Sequence, residues 1–121
     1  MTQGRVVNFQ ARVEVTFRLT NLPDVTIEFV VDTGFEGALT LPIIAVEALN
    51  LPYYTDLYAN LADDSVTKTN VHRANILWDG ELLGVAVLAM GKRPLLGTTL
   101  LKNKHLGIDF VESGRLTLSA L

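Results

Sequence analysis

Residues 29–34 read Phe-Val-Val-Asp-Thr-Gly, and this stretch carries the strongest structural signal in the chain. Its three apolar residues predict the end of a buried strand, which leaves Asp32 at the strand end beside a loop. Gly34 has no Cβ and tolerates positive φ, so backbone N–H groups can approach the Asp32 carboxylate closely. The hydroxyl of Thr33 can donate to a neighbouring carbonyl. The stretch therefore predicts a carboxylate held in a tight loop.

Strand periodicity continues on both sides of this loop. Residues 11–19 alternate between apolar and polar side chains, and residues 25–31 resume the alternation after turn residues at 21–24. These segments predict a hairpin whose second strand ends at Asp32. Further strands are predicted at residues 38–41, on both sides of a turn at 63–65 within 57–78, and at 82–90, 106–110 and 115–118. The second arm of the 57–78 ribbon is long and polar, so part of it should project into solvent.

Two short helical segments interrupt the strands. Pro42 can begin a helix that runs to residue 49 and stops at Asn50. A second helix is predicted at residues 98–103, where a threonine is available as N-cap. We therefore expect an all-β fold, a small closed β-barrel with one or two short helices.

Length and composition limit the number of domains and the class of partner. With 121 residues, 49% of them hydrophobic, the chain can bury one core, and we expect a single domain over residues 1–121. The net charge of −3 offers no basic surplus, so nucleic acid is not an expected partner. The N-terminus has no signal-peptide pattern, and the longest apolar run, residues 82–91, is too short to span a membrane. We expect a soluble cytoplasmic protein.

Thiol and metal chemistry have little support in the sequence. No cysteine is present, which excludes disulfides, a thiolate nucleophile and cysteine-ligated zinc. His72 and His105 lie far apart and form no ligand pair. Asp63 and Asp64 read as solvated turn residues rather than cation ligands. We therefore expect no metal and no cofactor.

Asp32 by itself supplies half of a hydrolytic site. Hydrolysis of a peptide without a metal or a covalent intermediate needs one carboxylate as general base and one carboxylic acid as general acid. Two carboxylates about 3 Å apart cannot both ionise, so they share one proton. The chain has one Asp-Thr-Gly, and Asp109, which no Thr-Gly follows, is expected to be a structural carboxylate at a strand end. A second copy, related by a two-fold axis, would contribute the other aspartate.

Two segments of the chain together resemble a known family. Residues 30–42, VVDTGFEGALTLP, and residues 95–118, LLGTTLLKNKHLGIDFVESGRLTL, are similar to retropepsin-like (clan AA) aspartic proteases, in particular to bacterial and cyanobacterial proteins with an Asp-Thr-Gly-Phe motif. The resemblance extends from Val13 to Leu118. It implies a β-barrel of retropepsin (acid protease) type, a homodimer, and cleavage of an extended peptide or protein substrate beneath a β-hairpin flap. We expect apolar pockets for the substrate side chains.

The resemblance assigns roles to individual residues. Asp32 would be the catalytic aspartate, Thr33 would interlock the two active-site loops, and Gly34 would allow the tight turn. The hydrophobic-hydrophobic-Gly element that packs behind this loop would be Leu95, Leu96 and Gly97. The substrate-binding residues would be Phe35 and the flap residues Ala62, Asp63, Asp64 and Ser65.

Two positions depart from the family pattern. Asp64 stands where flaps of the family usually carry a glycine, and Phe35 replaces the small residue that usually follows Asp-Thr-Gly. A bulky apolar group at position 35 removes a possible hydroxyl donor to the carboxylate. These departures keep a second interpretation open, a non-catalytic barrel of the same fold that acts as a dimeric peptide-binding or interaction module.

Overall fold

The computed structural model describes residues 1–60 and 62–121, so Leu61 of the predicted flap arm lies outside the described residues. The strands are β1 (Thr2–Val7), β2 (Gln10–Arg18), β3 (Val25–Val31), β4 (Leu39–Leu41), β5 (Tyr53–Asn60), β6 (Val66–Trp78), β7 (Glu81–Ala89), β8 (Leu95–Leu96), β9 (Lys104–Ile108) and β10 (Arg115–Ala120). One α-helix, α1 (Ile43–Ala48), follows β4, and one 3₁₀ turn (Thr98–Leu100) follows β8.

Alternating side chains decide the inner and outer faces of β2 and β3. Val13, Val15 and Phe17 are at most 1% exposed, whereas Glu14 between them is exposed. The Phe17 ring stacks on that of Phe29, with ring centroids 5.9 Å apart. Burying each of these phenylalanines stabilises the fold by about 1.5–3 kcal/mol relative to an exposed ring. The predicted hairpin is confirmed by the antiparallel pairing of β2 with β3.

Six strands close into a ring. Their order is β2-β3-β8-β4-β7-β6, and β6 pairs back onto β2 at Thr16–Leu77 and the two neighbouring positions. The β3–β8 and β4–β7 pairs are parallel, and the other pairs of the ring are antiparallel. Leu39, Ile76 and Leu96 are fully buried in its core. The expected all-β architecture, a small closed barrel with a short helix, is confirmed.

Two groups of strands extend beyond the ring. On one side, β1 pairs with β2 and β10, and β9 forms the free edge. On the other side, β5 pairs with β6, and residues 66–69 of β6 pair with β5 alone because the β6–β7 register begins at Asn70. The β5–β6 hairpin therefore projects from the ring as a two-stranded ribbon, as the length and polarity of its second arm predicted.

Helix α1 begins after Pro42, as predicted, but the second helical prediction was wrong in its extent. The sequence predicts a helix over residues 98–103, whereas the structure has a single 3₁₀ turn that ends at Leu100. Gly97 is its N-cap residue, and no side chain caps it. The Thr98 hydroxyl donates instead to the carbonyl of Phe35, 3.3 Å away. None of the described helices is long and apolar enough to cross a membrane.

Two segments have more strand than their sequences indicate. β1 lacks a clear alternation, yet it pairs with β2 so closely that a Cβ on Gly4 would lie 2.0 Å from the Arg12 carbonyl oxygen. Tyr53 and Tyr54 lie in β5 rather than in a loop, and both are more than half exposed. Pairing with a neighbouring strand, rather than local pattern, determines the conformation of these segments.

Asp79 connects three separate parts of the sheet. It occupies the β6–β7 turn with φ of 51°, and Gly80 follows it with φ of 79°. Its carboxylate accepts a hydrogen bond from Thr2 Oγ1 at 2.8 Å and forms a salt bridge with Lys104 at the start of β9. The hydrogen bonds from Lys104 and Thr2 lower the pKa of the Asp79 carboxyl below its usual value. The ionised form therefore stabilises the folded state above the ordinary carboxyl pKa.

Asp79→Asn should lower the free energy of unfolding by about 1 kcal/mol at neutral pH, because it removes the ion pair while keeping a residue that tolerates positive φ. Since the folded-state pKa is depressed, the difference from wild type should shrink as pH falls through that pKa. Urea unfolding of both proteins at neutral pH and at about pH 2 measures this difference in unfolding free energy. Glu81→Gln, an exposed acid two residues away, is the control. A deficit of equal size at both pH values would contradict an electrostatic role.

Candidate active site

Asp32 lies at the end of β3, half-buried, in a tight turn. Its N–H donates to the Leu96 carbonyl at 2.9 Å, which continues the parallel β3–β8 pairing one residue past the strand. Its Oδ1 accepts the Gly34 N–H at 2.9 Å, and its carbonyl accepts the N–H of Phe35 at 3.2 Å. A Cβ on Gly34 would lie 3.2 Å from the same Oδ1. One carboxylate oxygen is therefore held by the backbone of its own loop.

Thr33 and Gly34 are exposed at the tip of this turn. Among the described residues, the Thr33 hydroxyl has no hydrogen-bond partner within the chain. The interlocking of two loops by Thr33 concerns a second copy, so it stays a prediction. The exposure of both residues leaves the tip of the loop free to meet another surface.

The predicted element behind the loop, Leu95-Leu96-Gly97, lies directly beside β3. Leu96 is fully buried and pairs with Val31, and Leu95 pairs with Val30. The Thr40 hydroxyl accepts the N–H of Leu95 at 3.2 Å. Thr40 is itself only 2% exposed, so this bond satisfies a buried hydroxyl. The strand that carries Asp32 is thus fixed by β8 on one side and by β2 on the other.

Hydrogen bonds join the segment after Asp32 to the segment after β8. The backbone N–H groups of Gly97 and Thr98 donate to the carbonyls of Ala38 and Phe35, each at 2.8 Å. Thr99 donates through its N–H to Gly37 at 3.2 Å, and through its hydroxyl to the carbonyl of residue 36 at 2.7 Å. Both threonines of the 3₁₀ turn therefore hold the Asp32 loop, which explains why neither of them caps a helix.

Phe35 folds back against the two glycines of this junction. A Cβ on Gly37 would lie 2.5 Å from the Phe35 ring, and a Cβ on Gly97 would lie 2.6 Å from it. A Cβ on Gly97 would also lie 2.2 Å from the Gly37 carbonyl oxygen and 2.5 Å from the Phe35 carbonyl oxygen. The Phe35 ring therefore packs on the loop that follows Asp32, and its predicted contact with substrate stays a prediction.

The predicted flap residues form the tip of the β5–β6 hairpin. Asp63 Oδ1 accepts the N–H of Ser65 at 3.1 Å and its hydroxyl at 2.6 Å. These hydrogen bonds lower the pKa of the Asp63 carboxyl. Asp64 has φ of 65°, in the left-handed region that favours glycine. Aspartate tolerates this region better than most residues, which explains how the tip turns without the usual glycine. Ala62 and the other three tip residues are exposed.

An open cavity of about 440 Å³ borders β3 at Val30, two residues before Asp32, and it was not predicted from the sequence. We call it the Asp32-side cavity. Its walls include Gln10, Arg12, Glu28 and Val30 of β2 and β3, and Arg93 and Pro94 of the turn before β8. These residues come from three distant parts of the sequence, so no local pattern could have grouped them. Across the described residues, no three His, Asp or Glu side chains are grouped as metal ligands.

Comparison with known proteins gives one informative result. No family model matches the chain, and no curated protein matches its sequence. Among solved structures, a retropepsin-like aspartic protease from Rickettsia conorii matches with a TM-score of 0.60 and 18% sequence identity. The match covers 99% of this chain and 89% of that chain. The fold is retropepsin-like. At this level of identity the likeness concerns the fold, so the chemistry of Asp32 has to be inferred from the site itself.

Gly97→Ala tests whether the retropepsin-like fold depends on the close approach at this junction. The φ of −103° at Gly97 suits alanine, so the expected cost comes from contact with the two carbonyl oxygens and the Phe35 ring. We expect a loss of about 1–3 kcal/mol in the free energy of unfolding, measured by urea denaturation. Gly84→Ala in β7 is the control, because its Cβ would meet its nearest neighbour at 3.6 Å. Equal effects of the two substitutions would contradict this explanation.

Proposed function

We propose that the protein is an aspartic endopeptidase, active as a homodimer in which two copies of Asp32 form the catalytic pair. The observation that carries this proposal is the Asp32 turn, in which Gly34 N–H holds one carboxylate oxygen while the tip of the loop remains exposed. The retropepsin-like fold supports it, since this loop lies at the end of a strand fixed on both sides. We also propose that the chain belongs with the bacterial Asp-Thr-Gly-Phe proteases and acts as a single domain.

The proposed reaction uses two carboxylates and one water molecule. One Asp32 accepts a proton from the water, which attacks the carbonyl carbon of the scissile peptide bond. The other Asp32 carries the shared proton and donates a hydrogen bond to the carbonyl oxygen as negative charge develops there. The proton taken from the water later passes to the leaving nitrogen as the C–N bond breaks, which returns the pair to one shared proton. Both the acid and the base are protein carboxylates, so this mechanism requires neither a metal nor a cofactor.

Exposed apolar side chains at the Asp32 end of the sheet support the dimer. The β2–β3 register pairs Arg12 with Val30, which brings the β1–β2 turn next to the Asp32 loop. Phe9 in this turn is 85% exposed. The β9–β10 turn lies alongside, because Val6 exchanges backbone hydrogen bonds with residues 113 and 114. Phe110 and Val111 in that turn are 57% and 65% exposed. A second copy bringing its own Asp32 to this end would cover these side chains.

The proposed substrate is an extended peptide segment of a protein. The β5–β6 hairpin is a two-stranded ribbon whose tip, residues 62–65, is exposed and would form the flap. Backbone groups of such a ribbon can pair with an extended peptide. Phe35 would contact substrate only with the part of its ring that is free of Gly37 and Gly97. We propose no nucleic-acid or membrane partner.

A dimeric module that binds peptides without cutting them is the second candidate. The observation that favours it is a group of exposed apolar side chains on the otherwise polar ribbon, where Leu57, Tyr58 and Val66 are between 48% and 64% exposed. Such a surface can bind an extended segment whether or not Asp32 is catalytic. The two candidates differ in one respect, the requirement for the Asp32 carboxylate in peptide hydrolysis.

Asp32→Asn should abolish peptide hydrolysis, because an amide cannot act as the general base of the pair. The measurement is cleavage of a diverse peptide pool, followed by mass spectrometry, from mildly acidic to neutral pH. Wild-type activity should depend on pH with a bell shape, since the pair needs one proton. Glu47→Gln is the matched control, an exposed acid in α1 that should leave cleavage unchanged. If folded, dimeric wild type cleaves nothing, the binding module is the better interpretation.

Phe9→Asn should weaken the dimer, because it removes an exposed ring at the Asp32 end and keeps a residue suited to the φ of 63° at this position. We expect the dimer dissociation constant to rise by about tenfold or more, measured by sedimentation. Activity lost at low protein concentration should return at high concentration. Leu22→Asn, in the β2–β3 turn at the other end of β3, is the control. Full activity in a monomer would contradict the proposed mechanism.

A further inference from the structure

We propose that the Asp32-side cavity is a substrate subsite that selects an acidic side chain, and that Arg93 determines this selectivity. The inference rests on the proposed function, and it gives one subsite a charged lining where apolar pockets for the substrate side chains are expected from the sequence. It is carried by three observations, which are the place of the cavity, the charges that line it and the pairing of those charges.

The cavity is placed where a substrate residue near the scissile bond would lie. Val30 lines it and stands two residues before Asp32, a distance of about 7 Å along a strand. Gln10 lines it from β2, two residues beyond the Arg12–Val30 pair and thus level with Asp32. Pro94 closes it on the other side and accepts the Val30 N–H at 2.9 Å. A peptide cleaved at Asp32 would pass the mouth of this cavity.

The charges that line the cavity differ in sign from those of the chain as a whole. Arg12, Arg93 and Glu28 give the lining a net charge of +1, whereas the chain carries −3. Arg5 adds a second cation near Glu28, at 3.7 Å. The side chains that line the cavity therefore carry a net positive charge, while the Glu112 carboxylate accepts the N–H of Asn8, another lining residue, at 3.1 Å. A basic substrate side chain would meet two guanidinium groups here and be disfavoured.

The pairing of these groups identifies Arg93 as the cation available to a ligand. Arg12 donates through Nη1 to Glu28 at 3.0 Å and through Nη2 to Gln10 at 2.9 Å, so both terminal nitrogens are engaged, while its buried Nε has no partner among the described residues. Arg93 forms no salt bridge with any residue that the structure describes. A carboxylate entering the cavity could therefore form a charge-assisted hydrogen bond with Arg93 without breaking an existing pair. An apolar side chain would cover this cation without compensating it.

The volume of the cavity is compatible with this use. About 440 Å³ lies in the lower part of the range found for ligand pockets, and it is enough for one glutamate side chain with part of its backbone. Val30 and Pro94 supply apolar wall for the methylene groups, and the arginine supplies the polar end. The same pocket would exclude neither aspartate nor glutamate by size, so charge rather than length should dominate the preference.

The experiment compares peptides that differ only in charge at one position. Cleavage of a degenerate peptide library first identifies the position, within two residues of the cut bond, where Asp and Glu are enriched. Matched peptides with Glu, Gln, Leu or Lys at that position are then cleaved by wild type, Arg93→Gln and Lys92→Gln. Lys92 is the control, because it is an exposed neighbour that carries the same charge and does not line the cavity. We expect a Glu-to-Gln ratio in kcat/KM of about 5–10 for wild type.

Loss of this ratio in Arg93→Gln, with the ratio retained in Lys92→Gln, would support the proposal. No acidic enrichment, or equal loss in both variants, would overturn it and indicate an apolar subsite or a diffuse field. Binding of the same peptides to Asp32→Asn, measured by fluorescence anisotropy, separates this inference from the proposed function. A Glu preference in binding that depends on Arg93 supports the subsite even if wild type cleaves nothing. Binding without a charge preference overturns the subsite whether or not wild type is active.

Discussion

The backbone of residues 35–38 crosses the backbone of residues 97–99 so closely that position 97 has no room for a side chain. A Cβ there would overlap two carbonyl oxygens and the Phe35 ring, and hydrogen bonds between the segments hold them at this distance. The crossing fixes both ends of the Asp32 loop, because the Asp32 N–H is bound by the strand that leads into Gly97. The position of the carboxylate is therefore set by contacts between segments more than sixty residues apart in the chain.

Several exposed groups that a partner or a ligand could contact lie at one end of the sheet. The Asp32 loop, the turn with the exposed Phe9 ring, and the turn with the exposed Phe110 ring are neighbours there. The cavity beside them contains an arginine without an ion-pair partner among the described residues. Exposed apolar surface and an uncompensated cation are both features that a partner or a ligand can satisfy. The core of the ring is formed by other side chains, among them Phe17, Phe29 and Leu39, which are fully buried, so the core and this exposed end occupy different parts of the fold.

Local pattern predicted the elements well where one side of a strand faces the core. The alternation over β2 and β3 predicted their pairing, and Pro42 predicted the start of α1, because each of these signals depends on near neighbours in sequence. The missing flap glycine was harder to interpret. Asp64 adopts the positive φ that a glycine would adopt, and the adjacent Asp63 closes the turn through its side chain. An aspartate can therefore occupy the turn position where the family pattern has glycine.

The sequence by itself determined the all-β architecture, the tight turn at Asp32 and the presence of one such aspartate in each chain. They depend on the alternation of apolar and polar residues, on a glycine two residues after Asp32, and on the number of Asp-Thr-Gly motifs, all of which can be read directly from the sequence. Only the tertiary structure decided how the ring closes, that Phe35 packs on Gly97, and that Arg93 meets Arg12 and Glu28 in one cavity. The physical reason is that strand order and register bring together residues far apart in the chain, and no local pattern encodes which strands will be neighbours.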